Sequence, residues 1–197
     1  MPRVHQLSYL KLIHGLLNTN EQNNKYYNTS ALCPHCAHAQ ESYLHMMSCP
    51  HPEVAANREL DKQALWTALK SLQTPPLILG QIMAGILQTK LPCTSENLMS
   101  EPTSSTISPP SCMSCTSSTP GEAYHHQSQE LGWETFLCGK ISNRWKECCY
   151  EECLSKQQWI NKNVWSAGVV KAVLQYSLAL WQFRCALLHG RTQVESY

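Results

Sequence analysis

The chain has 197 residues, of which 43% are hydrophobic and 15% charged, and a formal net charge of +1. That length allows one ordinary domain or two small ones, and the near-neutral balance excludes the global basic field of a strong nucleic-acid binder. Eleven cysteines, with no signal-like apolar run after Met1, point to an intracellular chain of free thiols and not to a disulfide scaffold.

In chain order, residues 4–18 predict an amphipathic helix with Val4, Leu7, Leu10, Lys11, His14 and Leu17 at helical spacing, widened by Leu12, Ile13 and Leu16. A polar connection through Asn23–Tyr27 then leads to Cys33-Pro34-His35-Cys36. Glu41 to Met47 reads as a short helix that Pro50 stops. Pro52 can open the next helix, running to about Leu72 with Val54, Leu60, Ala64, Leu65, Ala68, Leu69 and Leu72 on its core side. Pro76 to Thr89 predicts a third, and Pro92 closes that block. From Cys93 to Pro120, eighteen of 28 residues are Ser, Thr or Pro, too little apolar surface to offset the entropy of ordering, so a disordered linker is expected. Order is expected to resume at about Tyr124, with a short helix around Trp133 and Phe136 ending at Gly139 and another over Ile141–Lys156. Asn161–His189 reads as the longest helix, with Gly190 after it as C-cap. It is apolar nearly all round, which marks a central post needing neighbours on several sides. Lys171, Gln175, Gln182 and Arg184 interrupt it too often for a membrane span. The expected class is therefore mostly α: a helical zinc-knuckle domain at 1–92, a linker at 93–120 and a C-terminal helical bundle at 121–197.

The chemistry concentrates at Cys33, Cys36, His45 and Cys49, spaced Cys-x2-Cys-x8-His-x3-Cys. Two thiols two residues apart can close a tight turn on one ion, and a His and a Cys four apart can share one helix face. Three thiolates and an imidazole suit a tetrahedral zinc ion, and the closed set leaves no position for water, so the site reads as structural. His35, His38 and His51 lie nearby as outer groups or substitute ligands. A rival reading makes Cys33 and Cys36 the pair of a thiol–disulfide oxidoreductase, but the βαβ pattern which that chemistry needs is absent.

This segment resembles the zinc-binding region that follows the reverse transcriptase in non-LTR (LINE-like) retrotransposons. The residues carrying the resemblance are Leu12-Ile13-His14-Gly15-Leu16-Leu17-Asn18-Thr19, then Cys33-Pro34-x-Cys36, and Glu41-Ser42-x-x-His45-x-x-x-Cys49-Pro50. Gly132-Trp133-x-x-Phe136-x-x-Gly139 and Trp181-x-x-Arg184-x-x-x-x-His189-Gly190 are similar to the helical tail after such knuckles, although Cys185 stands where an Asn is more usual. The resemblance implies a retroelement C-terminus whose knuckle helps hold RNA or DNA. No reverse-transcriptase palm, paired-Asp polymerase motif or endonuclease constellation is present, so no enzyme activity is expected.

Residues 140–191 hold eight Lys or Arg against three Glu, while 91–139 hold five Glu and no cation. Lys140, Arg144, Lys146 and Arg184, with Lys156, Lys162, Lys171 and Arg191, are candidate phosphate contacts, and exposed Trp or Tyr rings can stack on bases. The plainer alternative is an ordinary solvated surface over a tryptophan core. Partners are then RNA or DNA, the parent retroelement protein or another protein, and no membrane. Cys112, Cys115, His125 and His126 have the ligand types for a second metal but fall at the linker. Cys148, Cys149 and Cys153 read as half-buried free thiols, and Arg184 and His189 as capping or buried hydrogen-bonding groups.

Overall fold

The computed structural model describes residues 3–88 and 119–189. Among the described residues nine α-helices follow one another: α1 Arg3–Ile13, α2 Asn20–Tyr27, α3 Tyr43–Ser48, α4 Pro52–Ser71, α5 Pro76–Gln88, α6 Pro120–His126, α7 Trp133–Leu137, α8 Asn143–Ser155 and α9 Lys162–His189. One π-helical turn, Gln127–Leu131, joins α6 to α7, and the only β pairing among the described residues is an isolated antiparallel bridge between Leu32 and Gln40.

Local chemistry explains most boundaries. Proline opens α4, α5 and α6, where its missing N–H costs nothing. Thr119 and Glu122 form a reciprocal capping box, which starts α6 four residues before the expected Tyr124 and takes the end of the predicted linker into a helix. The rest of that linker, Gly190, Arg191, Cys112 and Cys115 lie outside the described residues. Asn161 accepts from the N–H groups of Asn163 and Val164 at 3.1 and 3.2 Å to begin α9. The stretch expected as a polar connection is instead α2. Thr19 caps it by accepting from the Gln22 N–H at 3.4 Å, Glu21 sits in its first turn, and Asn28 ends it in the left-handed conformation.

Packing makes one core where two were expected. Leu12, Met46, Leu69, Ile78 and Ile82 from the first part and Phe136, Trp145, Trp165 and Val173 from the last belong to a single buried cluster. The parts on either side of the 93–120 stretch share that core: α9 is the post for both, with α4 along it and α1, α3, α7 and α8 against its other sides. The reason is the one that marked α9 out, an apolar surface all round that one small bundle cannot cover. Two close approaches fall at glycines, and the one at Gly85 leaves no room for a Cβ. A Cβ on Gly85 of α5 would stand 2.0 Å from the Trp133 ring, and one on Gly168 of α9 would stand 2.6 Å from Leu72. Trp165 Nε1 also donates to Thr74 Oγ1 at 3.0 Å, tying α9 to the α4–α5 turn.

Two predicted stripes face differently. In α1, Leu12 is buried with Tyr9 and Ile13 beside it, while Leu7 and Leu10, and Leu16 beyond the helix, are exposed. Apolar residues lie on both sides of this helix, and α9 covers the other one. In α4, Leu60 and Ala64 point outward, and Arg58 and Lys62 are buried between Val54 and Leu65.

Candidate metal centre

The four predicted ligands converge. One donor atom from each of Cys33, Cys36, His45 and Cys49 lies within 4.8 Å of all the others, a set able to hold a metal ion. Cys33 Sγ and Cys49 Sγ stand 3.8 Å apart, and Cys36 Sγ and His45 Nε2 3.4 Å.

Local folding places each donor. The chain enters as a minimal hairpin, with Cys33 N–H donating to the Ala39 carbonyl at 2.7 Å and Ala37 N–H to the Cys33 carbonyl at 2.9 Å. Ala37 takes φ +56°, the left-handed conformation that turns the chain sharply after Cys36. Ser42 caps α3 by accepting from the His45 N–H at 3.1 Å, which orients His45 on the first turn. Cys49 was expected on the same helix face as His45. Instead it is the residue that leaves α3, with φ −47° and ψ 128°, because the residue before a proline is pushed out of the helical region and Pro50 follows. Its thiol reaches the site all the same. Arg58 Nη1 donates to the Met47 and Cys49 carbonyls at 3.3 and 3.0 Å, satisfying the open end of α3 and holding Cys49. That duty explains an arginine on the buried side of α4.

Cys33 and Cys49 are not poised for attack. Burial pushes the Cys33 thiol up, and burial, with the neighbouring thiols adding to it, pushes Cys49 up to about 12. Burial also acts to raise Cys36, but backbone N–H groups of His38 and Ala39 and the adjacent thiols outweigh it and bring Cys36 below the usual thiol value. Burial lowers His45, opposed by the charge of Glu41, which favours the neutral imidazole that ligation needs. A raised Cys33 and the lack of a sheet among the described residues both weigh against the oxidoreductase reading.

Behind the ligands is a group that sequence reasoning quoted only as part of the motif. Glu41 is completely buried. Arg184 of α9 clamps it through both carboxylate oxygens, Nε to Oε1 at 2.8 Å and Nη2 to Oε2 at 2.5 Å. Asn20 N–H donates to Oε2 at 2.7 Å, and Arg184 Nη2 also donates to Asn20 Oδ1 at 3.3 Å. Arg184 lies 4.9 Å over the Trp181 ring as well. Removing one member of such a pair leaves a buried charge uncompensated and costs about 3–5 kcal/mol. Arg184 is therefore withdrawn from the phosphate contacts: it is buried and committed to Glu41, as the alternative of a buried hydrogen-bonding group anticipated. An acid in a knuckle with no nearby cation in sequence was the available signal.

The remaining candidates separate. Lys140 and Arg144 are exposed and Lys146 half-buried, whereas Lys156 pairs with Glu152 at 2.8 Å and Lys162 with Glu147 at 2.6 Å. Trp133, Trp145 and Trp165 are core, and Trp66 and Trp159 are exposed. His35 and His51 face each other at 6.1 Å between ring centroids and stand outside the four-donor set. His126 pairs with Glu130. Cys148, Cys149 and Cys153 are fully buried, with burial pushing Cys148 up to about 11. Among the described residues, no helix is long and apolar enough to cross a membrane. Comparison with protein-family models, with curated proteins and with solved structures finds no match.

Proposed function

We propose that Cys33, Cys36, His45 and Cys49 hold one structural zinc ion, and that the chain is a non-catalytic zinc module derived from a retrotransposon reverse-transcriptase tail. The observation that carries the zinc reading is the spacing of the donors. Zn–S bonds of about 2.3 Å in a tetrahedron put sulfurs about 3.8 Å apart, and an Zn–N bond of about 2.05 Å puts nitrogen about 3.5 Å from sulfur. Two of the donor pairs, at 3.8 and 3.4 Å, come close to those lengths, and all the donors lie within 4.8 Å of one another. Three thiolates favour zinc over hard cations, and four protein ligands leave no site for an activated water. Metal quantification on the purified protein tests this: one zinc per chain is expected, with loss in Cys33→Ser. Equal zinc in the variant overturns the assignment.

The partner we propose is RNA or single-stranded DNA. The knuckle offers little to a phosphate, since no Lys or Arg occurs between Thr29 and Asn57 and Lys25 pairs with Glu21 at 3.3 Å. Contact is therefore assigned to Lys140, Arg144 and Lys146 at the start of α8, with Trp159 exposed beyond its end. A gel shift at rising salt tests it: log K falls linearly with log salt, by roughly 0.7 per phosphate neutralised on a single strand. No shift at low salt refutes it. A second reading, a protein-interaction module or inactive relic with zinc as a staple, is favoured by the exposed Leu7, Leu10 and Leu16, and it predicts no nucleic-acid affinity.

A further inference from the structure

We infer that metal loading of the knuckle and docking of the last turns of α9 are one coupled equilibrium, with Glu41 and Arg184 as the positioning pair that transmits it. The inference rests on the zinc reading above and adds to it a long-range dependence within the fold.

Glu41 sits between the two halves of the metal site, five residues after Cys36 and four before His45. Its N–H donates to the Ala31 carbonyl at 2.8 Å, and its own carbonyl accepts from the Glu21 N–H at 3.3 Å. The carboxylate is thereby held between the hairpin that bears Cys33 and Cys36, α2, and the start of α3. The hairpin has little strength of its own, since its only ladder pairing is the isolated Leu32–Gln40 bridge. An ion bonded to both Cys33/Cys36 and His45/Cys49 would join hairpin to helix and so fix Glu41.

From the other side, α9 closes directly on the site. Leu180 and Arg184 border the same small buried space as Cys33, Glu41 and Cys49, and Phe183 packs on the cluster of Cys33, Cys49 and Val54. If the knuckle opens and Glu41 leaves, Arg184 remains in the interior with its countercharge gone, and the turn that carries it must expose itself to water. Coupling between two equilibria is reciprocal. Whatever factor the metal adds to the docking of residues 180–188, that docking adds to metal affinity, although Glu41 and Arg184 are 143 positions apart.

Hydrogen exchange on the full chain, zinc-loaded and after chelation, reads one direction. Amides at 180–188 lose protection on chelation along with those at 31–49, while α8 (Asn143–Ser155), which bears none of the metal donors, keeps its protection. Unchanged protection at 180–188 overturns the inference, and so does equal loss throughout the chain. Zinc competition against a chromophoric chelator reads the other direction. Arg184→Met binds zinc at least fivefold more weakly than the parent, Arg184→Lys falls between them, and the cobalt-substituted spectrum of all three stays that of the same four ligands. A smaller loss for Arg184→Met, or an altered cobalt spectrum, overturns it. A chain that takes up no metal refutes the zinc assignment and the coupling together, whereas one zinc bound with either direction silent refutes the coupling alone. The exchange arm uses the unmodified chain, so a variant that fails to fold does not remove the test.

Discussion

Gly85→Ala separates a shared core from two independent ones by the sign of its effect. In a helix interior with no tertiary neighbour, Gly→Ala stabilises by about 0.8–1.0 kcal/mol. Gly85 is buried in α5, and a Cβ there meets three atoms of the Trp133 ring at 2.0–2.2 Å. The ring has little room to yield, because its Nε1 donates to Ser128 Oγ at 2.8 Å and it packs on Tyr124 and Phe136 at centroid distances of 5.4 and 5.0 Å. Overpacking of this kind costs about 1–3 kcal/mol, occasionally more. With the propensity gain subtracted, a net loss of up to about 2 kcal/mol is expected, or a fall in Tm of up to roughly 8 °C for a chain of this size. Gly80→Ala is the internal control: Gly80 lies in the same helix, exposed, with nothing within 4 Å of its added Cβ, so it should gain about 0.8–1.0 kcal/mol. Urea and thermal melts followed by circular dichroism at 222 nm measure both. Equal stabilisation by the two substitutions would refute the packing of α5 on Trp133 and with it the common core.

Three further outcomes can be checked. Zinc affinity rises with pH: burial raises the Cys33 and Cys49 thiols, so each must lose a proton on binding, while burial lowers His45 and so favours its neutral, ligating form. Affinity should drop at least roughly 100-fold from pH 7 to pH 6 for two or more protons released, and calorimetry in buffers of different ionisation enthalpy counts those protons; a pH-independent affinity contradicts the ligand set. Lys140→Ala and Arg144→Ala should each reduce the salt slope of RNA binding by about 0.7 with little change in Tm, as measured by fluorescence anisotropy at several salt concentrations; an unchanged slope in both removes the α8 surface as the contact. Thr74→Val strips the acceptor from the buried Trp165 indole N–H and should cost about 1–3 kcal/mol in urea unfolding, whereas a neutral result would mean that α9 is not anchored at the α4–α5 turn.

The ligand quartet was legible because metal-site spacing is a local property of the chain. Two thiols across a short turn, and a His and a Cys at the two ends of one helical turn, leave few other geometries. Helices α4, α5, α7, α8 and α9 were legible for similar reasons, since proline starts, caps and 3.6-residue periodicity act within a few residues of themselves; α6, inside and just after the Ser/Thr/Pro stretch, was not. Thr19, Glu21 and Asn28 carried the same kind of signal for α2, but the helix buries none of its residues, so no apolar stripe drew attention to it.

Which surfaces meet is settled only once the helices have packed. Periodicity and spacing alone indicated that α9 is apolar nearly all round and that Cys33, Cys36, His45 and Cys49 could converge on one ion. They left open that the α9 surface is covered by helices from both ends of the chain, that the far side of α1 turns inward, and that α4 buries Arg58 to hold Cys49. They also left open that Arg184, in the most basic part of the chain, is withdrawn from solvent by Glu41. Periodicity reports that a face is apolar, and charge reports that a side chain needs a partner. Neither names the partner, because contacts between residues 143 positions apart are selected by the mutual fit and desolvation of whole elements, and those exist only once the helices have packed.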